Sequence, residues 1–279
     1  AVYGAANADI QAHSTGPFKP GDSNPGSTSL SAGGVGRNIA ENLARWGARV
    51  QLVSVFGDDA LTAFLKGSCL DAGIGLDYSL ELMDTPSPRY ICILDADGSL
   101  VGAVAAMDAL DEFTPAVLAE RWEPGDRADV VVLDANLPAD TLAAAVARWR
   151  DKPLLLDTVS QAKAERARAI LRGLPMIKPN TAEARLLSGA PSCLEAARGL
   201  RALGVGESFV TAAAQGIIWS SAEGEGKALP LALPVVNVSG AGDAAAAALA
   251  WGAAKRYNSK MKAMLAVAAA SSCAASLKA

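Results

Sequence analysis

Asn237-Val-Ser-Gly-Ala-Gly-Asp243, followed by an alanine run and Leu249-Ala-Trp251, is the stretch from which the rest of the chain can be read. A glycine-rich turn that opens a long helix leaves several backbone N–H groups without partners and sets them at the positive end of the helix dipole. Such a terminus binds phosphate or a developing anionic charge. Gly240, Ala241 and Gly242 let a ligand approach the backbone, and Asp243 follows in the first helical turn. An acid there suits the dipole, so Asp243 could serve only as a cap. The combination favours chemistry instead. An anion hole beside a base is the apparatus for deprotonating an alcohol while a phosphoryl group arrives.

Toward the N-terminus a second glycine-rich turn, Gly33-Gly-Val-Gly-Arg-Asn38, opens a helix expected over 38–46 and closed by Gly47. It is not a dinucleotide fingerprint, because Ile39 stands where G-x-G-x-x-G requires its last glycine. No Walker-A pattern occurs either. Paired glycines before a helix permit close contact with a small polyol, and Asn38 offers it both a donor and an acceptor.

Between these turns short apolar runs alternate with helix-like segments. Residues 50–56, 130–134, 154–157, 176–177 and 209–211 read as strands, and 141–150, 162–172, 181–188 and 193–203 as helices. This alternation predicts a parallel sheet covered on both faces, with ligands beyond the carboxyl ends of its strands. Asp134, Asp157 and Lys178 stand at such ends. Asp157 could help to place phosphate or magnesium, or cap the next turn; Lys178 could neutralise phosphate or be a solvated strand end. Two stretches break the alternation: 10–32 is polar and rich in Gly, Pro and Ser, and 89–104 reads as a hairpin about Asp95-Ala-Asp-Gly98. Together they form a small sheet, either a lid over the cleft or plain surface excursions.

The net charge of −4 and the 5% aromatic content argue against nucleic acid as a partner. Mean hydropathy is positive at +0.23. The longest apolar runs, 244–254 and 263–270, are mostly alanine and too short to span a bilayer, so no membrane partner is expected. No secretory leader is visible, and Cys69, Cys92, Cys193 and Cys273 form no C-x-x-C pair. They read as reduced thiols in a cytoplasmic protein. The single histidine, His13, leaves no Ser-His-Asp or Cys-His nucleophile.

The segments Gly33–Gly47 and Asn237–Leu249 resemble, in order and separation, the two signatures of the PfkB, or ribokinase-like, carbohydrate and nucleoside kinases. Lys178-Pro-Asn180-Thr-Ala-Glu183 is similar to that family's N-x-x-E motif, and Thr211–Gly216 to its T-x-G-x-x-G turn. More narrowly, Asp22-Ser-Asn-Pro-Gly26 followed by GGVGRNIAENLARWG resembles the pseudouridine kinase subgroup. The resemblance implies a ribokinase-like three-layer α/β sandwich with a central, mostly parallel sheet. Residues 1–9, 33–88 and 105–279 would form the core, and 10–32 and 89–104 an inserted β lid. It implies transfer of the ATP γ-phosphoryl group to the 5′-hydroxyl of pseudouridine. A separate glycosidase can split the product, pseudouridine 5′-phosphate. Other sugar or nucleoside acceptors are the alternative, followed by a non-catalytic nucleoside sensor.

By the same resemblance Asp243 is the base, and Gly240, Ala241 and Gly242 hold the transferring phosphoryl group. Asp9, Gly33, Gly34 and Asn38 bind the nucleoside, with Asn24 facing its base. Asn180 and Glu183 act on Mg2+ through water, and Thr211 and Gly216 lie along ATP. A potassium-type monovalent cation is a further implied cofactor, although the loop that usually completes its site would follow Ala279. A homodimer joined through exposed lid edges is expected. Two departures stand out. Ala213 replaces the first glycine of the T-x-G-x-x-G turn, which strains the backbone by about 1 kcal/mol if that position needs positive φ. Ala106 stands where an acidic residue is expected before Met107, which weakens any lid-side contact with substrate.

Overall fold

The computed structural model describes residues 1–276. Val131-Val-Leu-Asp134 and Leu154-Leu-Leu-Asp157 are apolar runs buried on both faces, the pattern of central parallel strands. They lie in the middle of a nine-stranded sheet. Its order is Gly224–Ala228, Ile217–Ser221, Glu207–Thr211, Met176–Lys178, Leu154–Asp157, Val131–Asp134, Val2–Tyr3, Val50–Val53 and Ile74–Gly75. Neighbours pair in parallel except at the Gly224–Ala228 edge, where the last two pairings are antiparallel.

One face packs on the helices Ala139–Trp149, Thr181–Ser188 and Cys193–Ala202, through Leu142, Val146, Leu187 and Leu200. The other packs on Val35–Arg45, Ala60–Asp71, Ala241–Ala254 and Ser259–Ala274. Three layers result, as expected. Alanines 244–248 and Ala250 are all buried, so the helix they form is covered nearly all round. No helix of the described residues is long and apolar enough to cross a membrane.

The chain order reverses at the first strand. Val2–Tyr3 leads into the strands Asn7–Ser14 and Gly26–Gly33, and the helix Val35–Arg45 then returns the chain to Val50–Val53 on one side of it. Val131–Asp134 lies on the other side. Ligands collect at such a switch point. The second sheet rises from the same end, in the order Gly26–Gly33, Asn7–Ser14, Arg89–Leu94 and Leu100–Ala106. Its strands thus run past the 10–32 and 89–104 limits at Asn7, Gly33 and Ala106.

Two elements differ from expectation. The run 50–56 breaks at Ser54, whose Oγ accepts from the Ala6 N–H at 3.0 Å, and Val55–Phe56 pairs with Leu80–Glu81 instead of with the main sheet. The run 162–172 is α-helical only over Gln161–Ala164 and tightens to a 3-10 helix over Glu165–Ile170. Trp149 is buried between Tyr3 and Trp122 with ring centroids 4.9 and 5.0 Å away.

Candidate active site

Parallel register sets Asp134 beside Asp157 and Asp157 beside Lys178, so three charged side chains form a row across adjacent strand ends. In-register neighbours project to the same face about 4.8 Å apart. The row is buried, which is tolerable only because each charge is held. Lys178 Nζ donates to Asp157 Oδ2 at 2.6 Å and to the Gly242 carbonyl at 3.1 Å. Asp157 also accepts from the Val159 N–H at 2.9 Å. Asp134 accepts from the Ala5, Gly36 and Asn136 N–H groups, each at 2.8 Å. Burial, with Asp157 nearby, pushes its carboxyl up to about 6. Asp134 therefore ties the exit of the first strand to the start of the helix Val35–Arg45.

Two helix N-termini converge above this row. Gly240 adopts φ 73, a left-handed conformation that glycine takes without strain, and no side chain caps the helix Ala241–Ala254 that it opens. The helix Val35–Arg45 starts in the same way at Gly34, φ 99, where a Cβ would run into the Ala5 carbonyl. Across the gap Asn38 Nδ2 donates to Asp243 Oδ2 at 2.8 Å. Burial and then Asp157 raise the Asp243 carboxyl to about 7, against the opposing pull of Lys178 and Asn38. A carboxylate poised near neutrality can accept a proton from an alcohol and later release it.

Asp9 lies against Gly33, so a side chain at Gly33 would collide with its carboxylate. Asn7 Nδ2 donates to Asp9 Oδ1 at 2.6 Å, while burial raises the Asp9 carboxyl. Asp9, Gly33, Gly34 and Asn38 thus share the junction between the two sheets. Asn24 does not join them. It sits in the turn beyond Ser14 and Gly26, the far end of a strand pair whose near end is Asn7 and Gly33. Eight extended residues place it roughly 25 Å away. Its amide bonds to Lys19 and Asp22 within that turn.

On the other side of Gly240–Asp243 lies a cleft of about 690 Å³, lined by Asn180, Thr211, Gly216, Leu231, Val235, Ala241 and Gly242. Its lining is largely apolar, with helix N–H groups at one end, which suits a base and a phosphate chain. Asn180 is exposed there as the cap of Thr181–Ser188. Glu183 is buried behind it. One carboxylate oxygen takes Thr158 Oγ1 at 2.6 Å and the Asn180 N–H at 2.8 Å, and the other takes Asn180 Nδ2 at 2.6 Å. Glu183 therefore holds Asn180 in place. Ala213 has φ 44 in the turn between Thr211 and Gly216. Ala213→Gly is expected to raise stability by about 1 kcal/mol, measured by urea unfolding; no gain would show that the turn is unstrained. A second depression, of about 530 Å³, lies at the amino ends of the strands near Ala1, Val50 and Val130 and holds none of the site residues.

Sequence reading left the fixing of Lys178 between Asp157 and Gly242 undecided and missed Arg37 and Thr158. Only the register of the strand ends and the packing of the first helix expose those roles.

Comparison with known proteins bears on the family and the fold. The family model for pfkB family carbohydrate kinases matches residues 1–278. The chain is 32% identical over 255 residues to the pseudouridine kinase of Escherichia coli strain K12, covering 89% of this chain and 82% of that protein. It is 27% identical over 255 residues to the ribokinase of Bacillus subtilis strain 168, covering 89% and 83%. The structure of Arabidopsis thaliana ribokinase complexed with ribose and ATP superimposes with a TM-score of 0.86 over all of this chain and 93% of that one, at 24% identity, and so shares its fold. The family match along nearly the whole chain, with 32% identity to a relative covered over most of its length and a shared ribokinase-like fold, establishes that the chain belongs to the pfkB family of carbohydrate kinases, phosphotransferases that act on a hydroxyl.

Proposed function

We propose that this kinase transfers the γ-phosphoryl group of ATP to the 5′-hydroxyl of pseudouridine. The observation that carries the reading is the position of Asp243, bonded to Asn38 on the acceptor side and standing on the helix whose Ala241 and Gly242 line the nucleotide cleft. The likeness to pseudouridine kinase over most of both chains supports the choice of acceptor.

Asp9, Gly33 and Gly34 hold the ribose against Asn38. Asp243 takes the proton of the 5′-hydroxyl, whose oxygen attacks the γ-phosphorus. The bond from that phosphorus to the β–γ bridging oxygen breaks, and ADP leaves. The backbone N–H groups at Gly240–Gly242, at the positive end of the helix Ala241–Ala254, meet the charge that spreads over the transferring phosphoryl oxygens. Thr211 and Gly216 lie along the nucleotide, and closure of the four-stranded sheet would bring the turn with Asn24 over the acceptor and exclude water.

Mg2+ bound to the ATP phosphates would neutralise their charge. The donor set fits an ion that arrives with its substrate. Asn180 stands at the cleft with the buried Glu183 fixing it from behind, so the pair would act on such an ion through water, and among the described residues no three His, Cys, Asp or Glu side chains form a cage able to hold a metal alone. A monovalent cation, a homodimer through the small sheet, a cytoplasmic setting and a glycosidase that consumes the product complete the reading.

Ribose is the alternative acceptor, favoured by the likeness to ribokinase over a similar span. Steady-state assays with ATP and Mg2+ across pseudouridine, uridine, cytidine, adenosine and ribose separate the two. A kcat/KM for pseudouridine about 100-fold above uridine, equivalent to about 2.7 kcal/mol, is expected. Comparable rates for several acceptors would overturn the choice of pseudouridine, and binding without turnover would point to a sensor.

A further inference from the structure

Arg37 is buried in the first turn of the helix Val35–Arg45. Its Nη1 donates to Asn38 Oδ1 at 3.1 Å and pairs with Glu41, and its Nη2 donates to Ser68 Oγ at 2.8 Å. Its Nε is buried with no hydrogen-bond partner among the described residues. A desolvated guanidinium with an orphaned donor is costly to keep for packing alone. What it touches explains its presence. Guanidinium carries donors only, and an ionised carboxylate accepts only. Asn38 stands between the two, so its amide has one workable orientation, Oδ1 toward Arg37 and Nδ2 toward Asp243.

We infer that Arg37 is a positioning residue for the phosphoryl transfer proposed above, fixing the Asn38 amide so that its N–H faces Asp243 and keeps that carboxylate ionised and aimed. Without Arg37 the amide is free to turn, and an amide oxygen facing Asp243 would favour the protonated acid. The inference rests on the kinase reading for its catalytic meaning, but the coupling itself is a property of the free protein. The other groups facing Asp243 are Asp157, which raises its proton affinity, Lys178, which lowers it, and the more distant Asp134, which raises it. Cys273, on the helix Ser259–Ala274, also lies within its electrostatic reach.

The test is the titration midpoint of the Asp243 carboxyl carbon, followed by NMR in the full chain without ligand and assigned by its loss in Asp243→Asn. The acid limb of kcat/KM is read alongside. Arg37→Met with Glu41→Gln removes the ion pair together and is expected to raise both midpoints by about one pH unit. Arg37→Lys keeps a charge for Glu41 but lacks the planar fork that also reaches Asn38, and is expected to raise them by about half a unit. Ser68→Ala removes a hydrogen bond that Arg37 makes away from Asn38 and leaves both midpoints unchanged, as a merely structural role would in all the variants. If the double variant does not fold, Arg37→Lys alone decides. Folded variants with unmoved midpoints overturn the inference and leave the kinase reading intact. A raised NMR midpoint in a protein that phosphorylates no acceptor supports the coupling and overturns the kinase reading.

Discussion

Asp243→Asn is expected to lower kcat by about 10³–10⁴-fold while leaving nucleoside affinity within a few-fold. The loss corresponds to about 4–5 kcal/mol of transition-state stabilisation. The substitution conserves shape: an asparagine oxygen can still accept from Asn38 Nδ2, so the acceptor side keeps its geometry and only the proton acceptor is lost. Wild-type turnover should fall as pH drops through about 7, because burial and Asp157 hold the Asp243 carboxyl there and a protonated base cannot take a second proton. Stability runs the other way. A carboxyl whose folded value is raised from 3.8 to about 7 binds an extra proton on folding in that window, so its contribution becomes less favourable as pH rises from about 4 to 7. The variant should therefore gain about 1–2 kcal/mol on the wild type at pH 8, and less at pH 5. Equal urea midpoints at both pH values would show that Asp243 is an ordinary solvated acid.

Lys178→Met is expected to cost about 3–5 kcal/mol of stability and most of the turnover at neutral pH. It leaves Asp157 buried with only the Val159 N–H of its two hydrogen bonds, since Lys178 provides the other. It also removes the cation that opposes Asp157 in setting the proton affinity of Asp243. Residual activity should consequently shift its acid limb above that of the wild type. Urea unfolding and a pH–rate profile measure the two effects. A change in stability below about 1 kcal/mol would mean that Asp157 is adequately solvated without its partner.

The glycine turns were legible in the sequence because their requirement is local: Gly34 and Gly240 take positive φ where the chain turns into a helix. The helix 181–188 was legible from its period, and the structure adds that Asn180 and Glu183 form a capping box at its start. Residues 2–3 and 217–221 gave no comparable signal. The first strand is too short to show a period, and it is a strand only because Val50–Val53 and Val131–Asp134 flank it. Arg37 reads as one more helical arginine until the fold buries it between Ser68 and Asn38. Asn38 itself changed meaning. Its amide donates to Asp243 and accepts from Arg37, so most of its capacity serves the protein before any polyol arrives. Asn24 lies in the small sheet, as the resemblance implies, but strand length sets it at the far tip, so only closure would carry it to the nucleobase.

The most direct test is phosphorus NMR of wild type and Asp243→Asn incubated with ATP, Mg2+ and pseudouridine. The account predicts a phosphomonoester signal coupled to the two 5′ protons of the nucleoside, growing with ADP in the wild type and absent from the variant on the same timescale. Inorganic phosphate without the ester, or the same ester formed equally fast by Asp243→Asn, would contradict it.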